Sequence, residues 1–164
     1  MVADFDHPGH LTNLGGPFGG WEADPNDPTQ GCRIRLTETE RLGTSGYGLM
    51  IDYDVDSPNP AYGGFWMKVP AIDLRGFTTL SIALKGDPQR GWTKRLALEL
   101  KDRRHVARFV LDGIEAQWKR MQIPLSVFAA IKGIRRVDEV VLVFDDQTVT
   151  EKLGTLYVDE IVFE

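Results

Sequence analysis

The chain has 164 residues, 42% of them hydrophobic and 26% charged, which suits one domain with a real core and argues against disorder. Its 19 Lys and Arg against 24 Asp and Glu leave a net charge of −5, which argues against nucleic acid as the main partner. Cys32 is the single cysteine, so no internal disulfide forms, and no apolar run approaches the ~18 residues of a membrane span.

From the N-terminus, Val2–Asp6 reads as a short strand with acidic residues at positions 4 and 6. The start MVADFDHPGH lacks a charged segment followed by an apolar one, so the expectation is a mature secreted or periplasmic domain, with the cytoplasm left open. His7 to Gly20 is rich in Gly and Pro and reads as loop, with Phe18–Glu22 (FGGWE) a brief strand at its end. DPNDPTQG at 24–31 is a turn, and Arg33–Glu38 alternates Ile34 and Leu36 against Arg33 and Arg35 as a half-buried strand does.

The stretch Tyr47–Val69 holds two strand-like runs around the loop DSPNPAY. In the first run, Tyr47, Leu49, Ile51 and Tyr53 share one face and Met50, Asp52 and Asp54 the other. In the second, Phe65, Met67 and Val69 alternate with Trp66 and Lys68. With the odd-numbered sets turned to the core, the opposite face offers an indole beside carboxylates and an ammonium. Such a surface suits a sugar, whose C–H faces stack on the ring while its hydroxyls find polar partners.

Ala71–Phe77 reads as a connector. Alternating strands are predicted over Thr79–Lys85, Arg95–Lys101, His105–Leu111, Gln117–Ile123, Val137–Phe144 and Thr155–Phe163. Pro124–Ile131 is the one helical turn, with Ser126 as its N-cap. Nine to eleven short strands with Gly, Pro and Asn turns make an all-β sandwich or barrel, in a single domain over 1–164.

Trp66 leads the candidate sugar contacts, because a regular strand facing one core cannot bury it together with Phe65 and Met67. Asp52, Glu99 and Arg108 also sit opposite apolar neighbours and can bond hydroxyls, with Arg108 offering a planar fork. Tyr62 is placed at the rim, and Asp146 at the end of a hydrophobic strand beside the groove. Trp21, Trp92 and Trp118 read as structural, and Arg103-Arg104 and Arg135-Arg136 as solvated turns. His7 and His10 lack a third metal ligand, and Cys32 reads as a buried thiol.

Several pieces in order resemble the β-jelly-roll carbohydrate-binding modules, family 11 in particular, and the related galactose-binding-like domain of the complex I intermediate-associated protein. These are the FD within Val2–Asp6, GYGLMIDYDV, the LDG-I-AQWKRMQIPLSVF pattern over Leu111–Phe128, and GTLYVDEIVF over Gly154–Phe163. The resemblance implies two antiparallel sheets, a concave outer face that binds glycan, and a structural calcium joining the first strand to the last. The matching calcium positions are Asp4 or Asp6 and Asp159. Carboxylates from distant strands plus loop carbonyls supply the hard oxygens that Ca²⁺ prefers.

The expected function is therefore non-catalytic binding of a neutral polysaccharide or oligosaccharide, alone or tethered to a parent or partner enzyme. The face's carboxylates serve as hydroxyl acceptors and disfavour acidic glycans. No nucleophile elbow, zinc-protease helix, phosphate loop or dinucleotide fingerprint is present. An interaction or assembly-factor-like domain is the alternative, with Trp66 and Tyr62 as interface anchors. A small glycosidase or lyase using Asp52, Glu99 and Asp146 is the third reading.

Overall fold

Period-two alternation buries one side of each strand and leaves the other for water, so a chain written this way closes by stacking two sheets. The computed structural model describes residues 1–131 and 134–164, and its architecture follows that rule. In chain order the strands are β1 (Phe18–Glu22), β2 (Gly31–Thr37), β3 (Gly48–Asp54), β4 (Tyr62–Asp73) and β5 (Thr79–Gly86). They continue as β6 (Arg95–Lys101), β7 (Val106–Asp112), β8 (Lys119–Pro124), β9 (Arg136–Asp145) and β10 (Leu153–Phe163). The first sheet runs β1-β4-β9-β6-β7 and the second β2-β3-β10-β5-β8, with every ladder antiparallel. The two-sheet antiparallel sandwich expected from the resemblance is the fold.

The inner faces interlock as the alternation requires. Leu96, Leu98 and Leu100 of β6, with Val140, Leu142 and Phe144 of β9, meet Leu49 and Ile51 of β3, Leu80, Ile82 and Leu84 of β5, and Leu156 and Val158 of β10. Tyr53 crosses between the sheets: its ring stacks on Phe144 at 4.3 Å and its hydroxyl donates to the Glu151 carbonyl at 3.1 Å. Burial pushes that phenol upward, because ionising it would place a charge in the core. Burial also pushes the Cys32 thiol up to about 12, consistent with the inert thiol read from the sequence.

Three sequence expectations change. The runs on either side of the loop DSPNPAY are not neighbours: β3 pairs with β2 and β10, whereas β4 pairs with β1 and β9. Leu49, Ile51 and Tyr53 of the first run and Phe65, Met67 and Val69 of the second are buried, but in different sheets, so Asp52 and Trp66 lie on opposite outer surfaces. Tyr47 is half-buried ahead of β3, and Met50 is buried as well. Val2–Asp6 contributes a single bridge, Ala3 to Ile161, rather than a strand. The turn after β8 is a three-residue 3₁₀ helix, Leu125–Val127, capped by Pro124 without a side-chain bond, so Ser126 lies inside it. With an N-cap that lacks a side-chain acceptor, no capping-box helix can start there. No helix among the described residues is long and apolar enough to cross a membrane.

Candidate functional site

On the outer face of the first sheet, strand register sets side chains in rows. One row runs Gly19, Trp66, Val141, Glu99, Arg108 across β1, β4, β9, β6 and β7. The next runs Trp21, Gly64, Val143, Ala97, Val110. The two tryptophans thus stand diagonally, each opposite a glycine of the neighbouring strand. A Cβ on Gly19 would sit 3.0 Å from the Trp66 indole, and one on Gly64 would sit 3.1 Å from Nε1 of Trp21. The missing side chains let both rings approach the sheet, where they cover Ala97, Val141 and Val143 as an apolar cluster separate from the core.

Charged groups frame this apolar floor. The Arg108 guanidinium donates to Glu99 at 3.1 Å and to Asp145 at 2.9 Å. Lys101 Nζ lies 3.0 Å from Glu99 and 3.9 Å from Glu139, and Lys68 bonds the other Glu139 oxygen. Cations and carboxylates therefore alternate from β7 to β4, each held by a partner of opposite sign. Trp21, Trp66, Lys68, Lys101, Glu139 and Val141 line a depression of about 330 Å³. Tyr62, 48% exposed, meets Trp21 edge-on at 5.8 Å and forms the rim. The arrangement offers ring faces over a dry floor with oriented donors and acceptors at its margin.

The structure brings Trp66, Tyr62, Glu99 and Arg108 onto one face. Asp146 lies at the end of β9, where its amide donates to the Ala61 carbonyl at 3.3 Å, and the Arg108 partner is its neighbour Asp145. Asp52 lies apart, on the outer face of the second sheet. There it accepts from the Thr155 hydroxyl at 2.6 Å and faces Arg90 at 3.3 Å and Arg35 at 3.6 Å. Trp21 read as structural from the sequence but stands on this outer face, and Lys101 and Glu139 were not singled out, although RLALELK places Lys101 with Arg95 and Glu99 on the polar phase of its strand. Trp92, by contrast, is structural: its indole donates to the Ile114 carbonyl at 3.1 Å and fills the space over Gly86.

Near the chain's two ends, Asp159 is 2% exposed and accepts from the Leu42 and Glu160 amides, each at 2.8 Å. Burial, together with the charges of Asp6 and Asp4, raises its carboxyl to about 6. The loop that donates through Leu42 also reaches Asp6: at Gly46 (φ +83°) a Cβ would fall 1.8 Å from Asp6 Oδ1. Asp4 is tied to Asn13, whose side chain donates to it at 2.6 Å. Among the described residues no three Asp, Glu, His or Cys side chains converge in the geometry of a metal centre.

No family profile and no curated protein matches the chain by sequence. Solved structures do match. The family 11 carbohydrate-binding module of the cellulosomal cellulase Lic26A-Cel5E from Clostridium thermocellum superposes with a TM-score of 0.68 at 16% identity, covering 99% of this chain and 92% of that one. The family 11 module from Clostridium thermocellum in complex with a β-1,3-1,4-mixed-linked tetrasaccharide gives 0.67 at 16% identity, covering 99% and 93%. A non-crystalline-cellulose-specific module, CBM28, gives 0.53 at 13% identity, covering 89% and 88%. Across nearly its whole length, then, this chain carries the jelly-roll β-sandwich fold of the family 11 carbohydrate-binding modules.

Proposed function

We propose that the chain is a non-catalytic carbohydrate-binding module, holding a neutral polysaccharide or oligosaccharide on the outer face of the first sheet. The observation that carries this reading is the diagonal pair Trp21 and Trp66 over an apolar floor, ringed by Glu99, Arg108, Lys101 and Glu139. Sugar rings stack on the indoles, and their hydroxyls exchange bonds with the charged frame, whose oxygens retain free lone pairs. Neighbours of the same fold are modules named for cellulase and cellulose, and one is in complex with a mixed-linked tetrasaccharide. An open face of this kind gives affinities on the order of µM to mM.

Non-catalytic binding is supported by the state of the carboxylates on this face. Glu99, Glu139 and Asp145 each face a cation. A glycosidase needs two carboxyl groups free to meet the glycosidic oxygen and the sugar or a water, and these three are each engaged by a cation. The Lic26A-Cel5E parentage of the family 11 neighbour suggests the same setting here, a module that keeps an attached enzyme on its substrate.

A structural calcium completes the proposal. Asp159, Asp6 and the loop 42–46 meet at one place, and a carboxylate raised by burial and, less, by its acidic neighbours Asp6 and Asp4 is a site short of positive charge. Calcium would supply that charge, with Asp159 and Asp6 as ligands, Asp4 beside them and loop carbonyls completing the shell. The test is isothermal titration of the protein with mixed-linked β-glucan and cello-oligosaccharides, with and without chelator. Binding that survives the chelator while the melting temperature falls places calcium in the fold rather than in the sugar contact, and neither changing removes the ion. Indifference to every glycan, with a stable protein complex instead, would support the interaction-domain reading.

A further inference from the structure

The strand ends just beyond the tryptophan face hold a second depression, of about 640 Å³, lined by Ala71, Asp73, Arg75, Asp102–Arg104, Arg135, Arg136 and Asp138. Two arginine pairs far apart in sequence meet here, joined by Arg75. A bulge builds the place: between Lys68↔Glu139 and Ile72↔Val137 the register shifts, β4 carrying Val69, Pro70 and Ala71 against Asp138 alone. Ala71 takes φ 45° within it. The extra residues turn β4 aside from the β6–β7 turn and leave room between them.

The charges in this depression are unequal. Five arginines face three aspartates, and two of the aspartates are already engaged. Asp73 binds Arg75 through a bidentate contact, and Asp102 accepts from the amides of Arg104 and His105 and lies 3.1 Å from the His105 ring. Among the described residues, Arg103, Arg104, Arg135 and Arg136 take part in no ion pair, and all four are exposed. Guanidinium forks gathered in a concavity match carboxylate and sulfate groups, whose oxygens they take two at a time.

We infer that this arginine depression is an anion subsite for a carboxylated or sulfated polysaccharide, lying at the end of the sheet whose face takes neutral rings. The choice of a glycan among polyanions rests on the proposed sugar-binding face. Along β4, Trp66 and Ala71 are five positions apart, roughly 16 Å, and the Lys68–Glu139–Lys101 row lies between them. A chain stacked on the indoles and running along the strands arrives at the arginines. Nucleic acid is the poorer match, because among the described residues no aromatic ring lines the depression for a base to stack on, and the molecule carries a net charge of −5. At the end of the face, this subsite reverses the expectation that acidic glycans are disfavoured.

The test uses the whole chain and three probes: polygalacturonate or a sulfated galactan, neutral mixed-linked β-glucan, and single-stranded DNA. Affinity electrophoresis compares the wild type with the double variant Arg104→Ser, Arg135→Ser and with Arg135→Glu, the fold of each checked by thermal melting. The acidic polysaccharide is expected to bind the wild type, to weaken about tenfold between roughly 50 and 300 mM salt, and to weaken at least about tenfold in both variants. Binding of the neutral glucan is expected to stay unchanged in those variants. Equal binding of the acidic polymer to variants and wild type, or its absence from the wild type, overturns the subsite. DNA bound as tightly as the acidic glycan overturns the glycan assignment. If the neutral glucan alone fails to bind, the tryptophan-face reading falls, while arginine-dependent binding of polygalacturonate still upholds the subsite.

Discussion

Asp159 carries the sharpest prediction for a single side chain. Its carboxyl is raised in the folded chain from 3.8 to about 6, so the folded state holds a proton that the unfolded state releases. Stability from this group is full below pH ~4 and is lost as pH rises through about 6, a difference of about 3 kcal/mol once the carboxylate is ionised. Calcium binding favours the ionised form, so its stabilisation grows over that same window. In chelator at pH 7.5, Asp159→Asn is expected to be more stable than the wild type by about 1–2 kcal/mol, part of the gain being offset by a lost amide bond. Added calcium should raise the melting temperature of the wild type alone. A calcium response that persists in Asp159→Asn would remove the ion from this site. Cys32, by contrast, is expected to resist thiol reagents at pH 8 until the chain unfolds, since its thiol is held up to about 12.

Strands β1 and β4 act together through the glycines under the indoles. Gly19→Val puts branched methyl groups where the first carbon already meets the Trp66 ring at 3.0 Å. The ring must lift from the sheet, so glycan affinity is expected to fall about tenfold or more. The cost in stability should be small, about 1 kcal/mol, because the outer cluster is not the core. Tryptophan fluorescence and calorimetry check both parts. In the loop 42–46, Gly46→Ala is strained twice, by φ +83° and by a Cβ 1.8 Å from Asp6 Oδ1. The variant is expected to lose about 1–3 kcal/mol and most of its calcium response in thermal melts. Strand alternation was readable wherever one face is apolar and the other charged: Arg95–Lys101 has the same bounds in sequence and structure. Trp21 was not, because its strand has two glycines and one other apolar side chain, which define no face.

For the molecule as a whole, the sequence supported the all-β class through strand spacing, and the two-sheet sandwich through the resemblance. The pairing of distant strands was beyond it. Alternation says which residues share a face of one strand, but not which strand lies beside it, and β3 and β4 parted to different sheets for that reason. Asp52 was thereby grouped with Trp66 although the sandwich separates them. The same limit hid the arginine depression, whose two pairs looked like unrelated turns until β4, β6 and β9 brought them together. The bridge from Ala3 to Ile161 brings the first and last segments together beside Asp159, so the proposed ion would reinforce a closure that the bridge already makes. The account stands or falls on the tryptophan face. Its most direct test is the affinity for mixed-linked β-glucan and cello-oligosaccharides of wild type and Trp66→Ala, both shown to be folded. The account predicts measurable binding by the wild type and a loss of at least about tenfold in the variant, from about 1–3 kcal/mol of lost stacking. Equal binding by both proteins, or none by the wild type across a broad glycan panel, would contradict it.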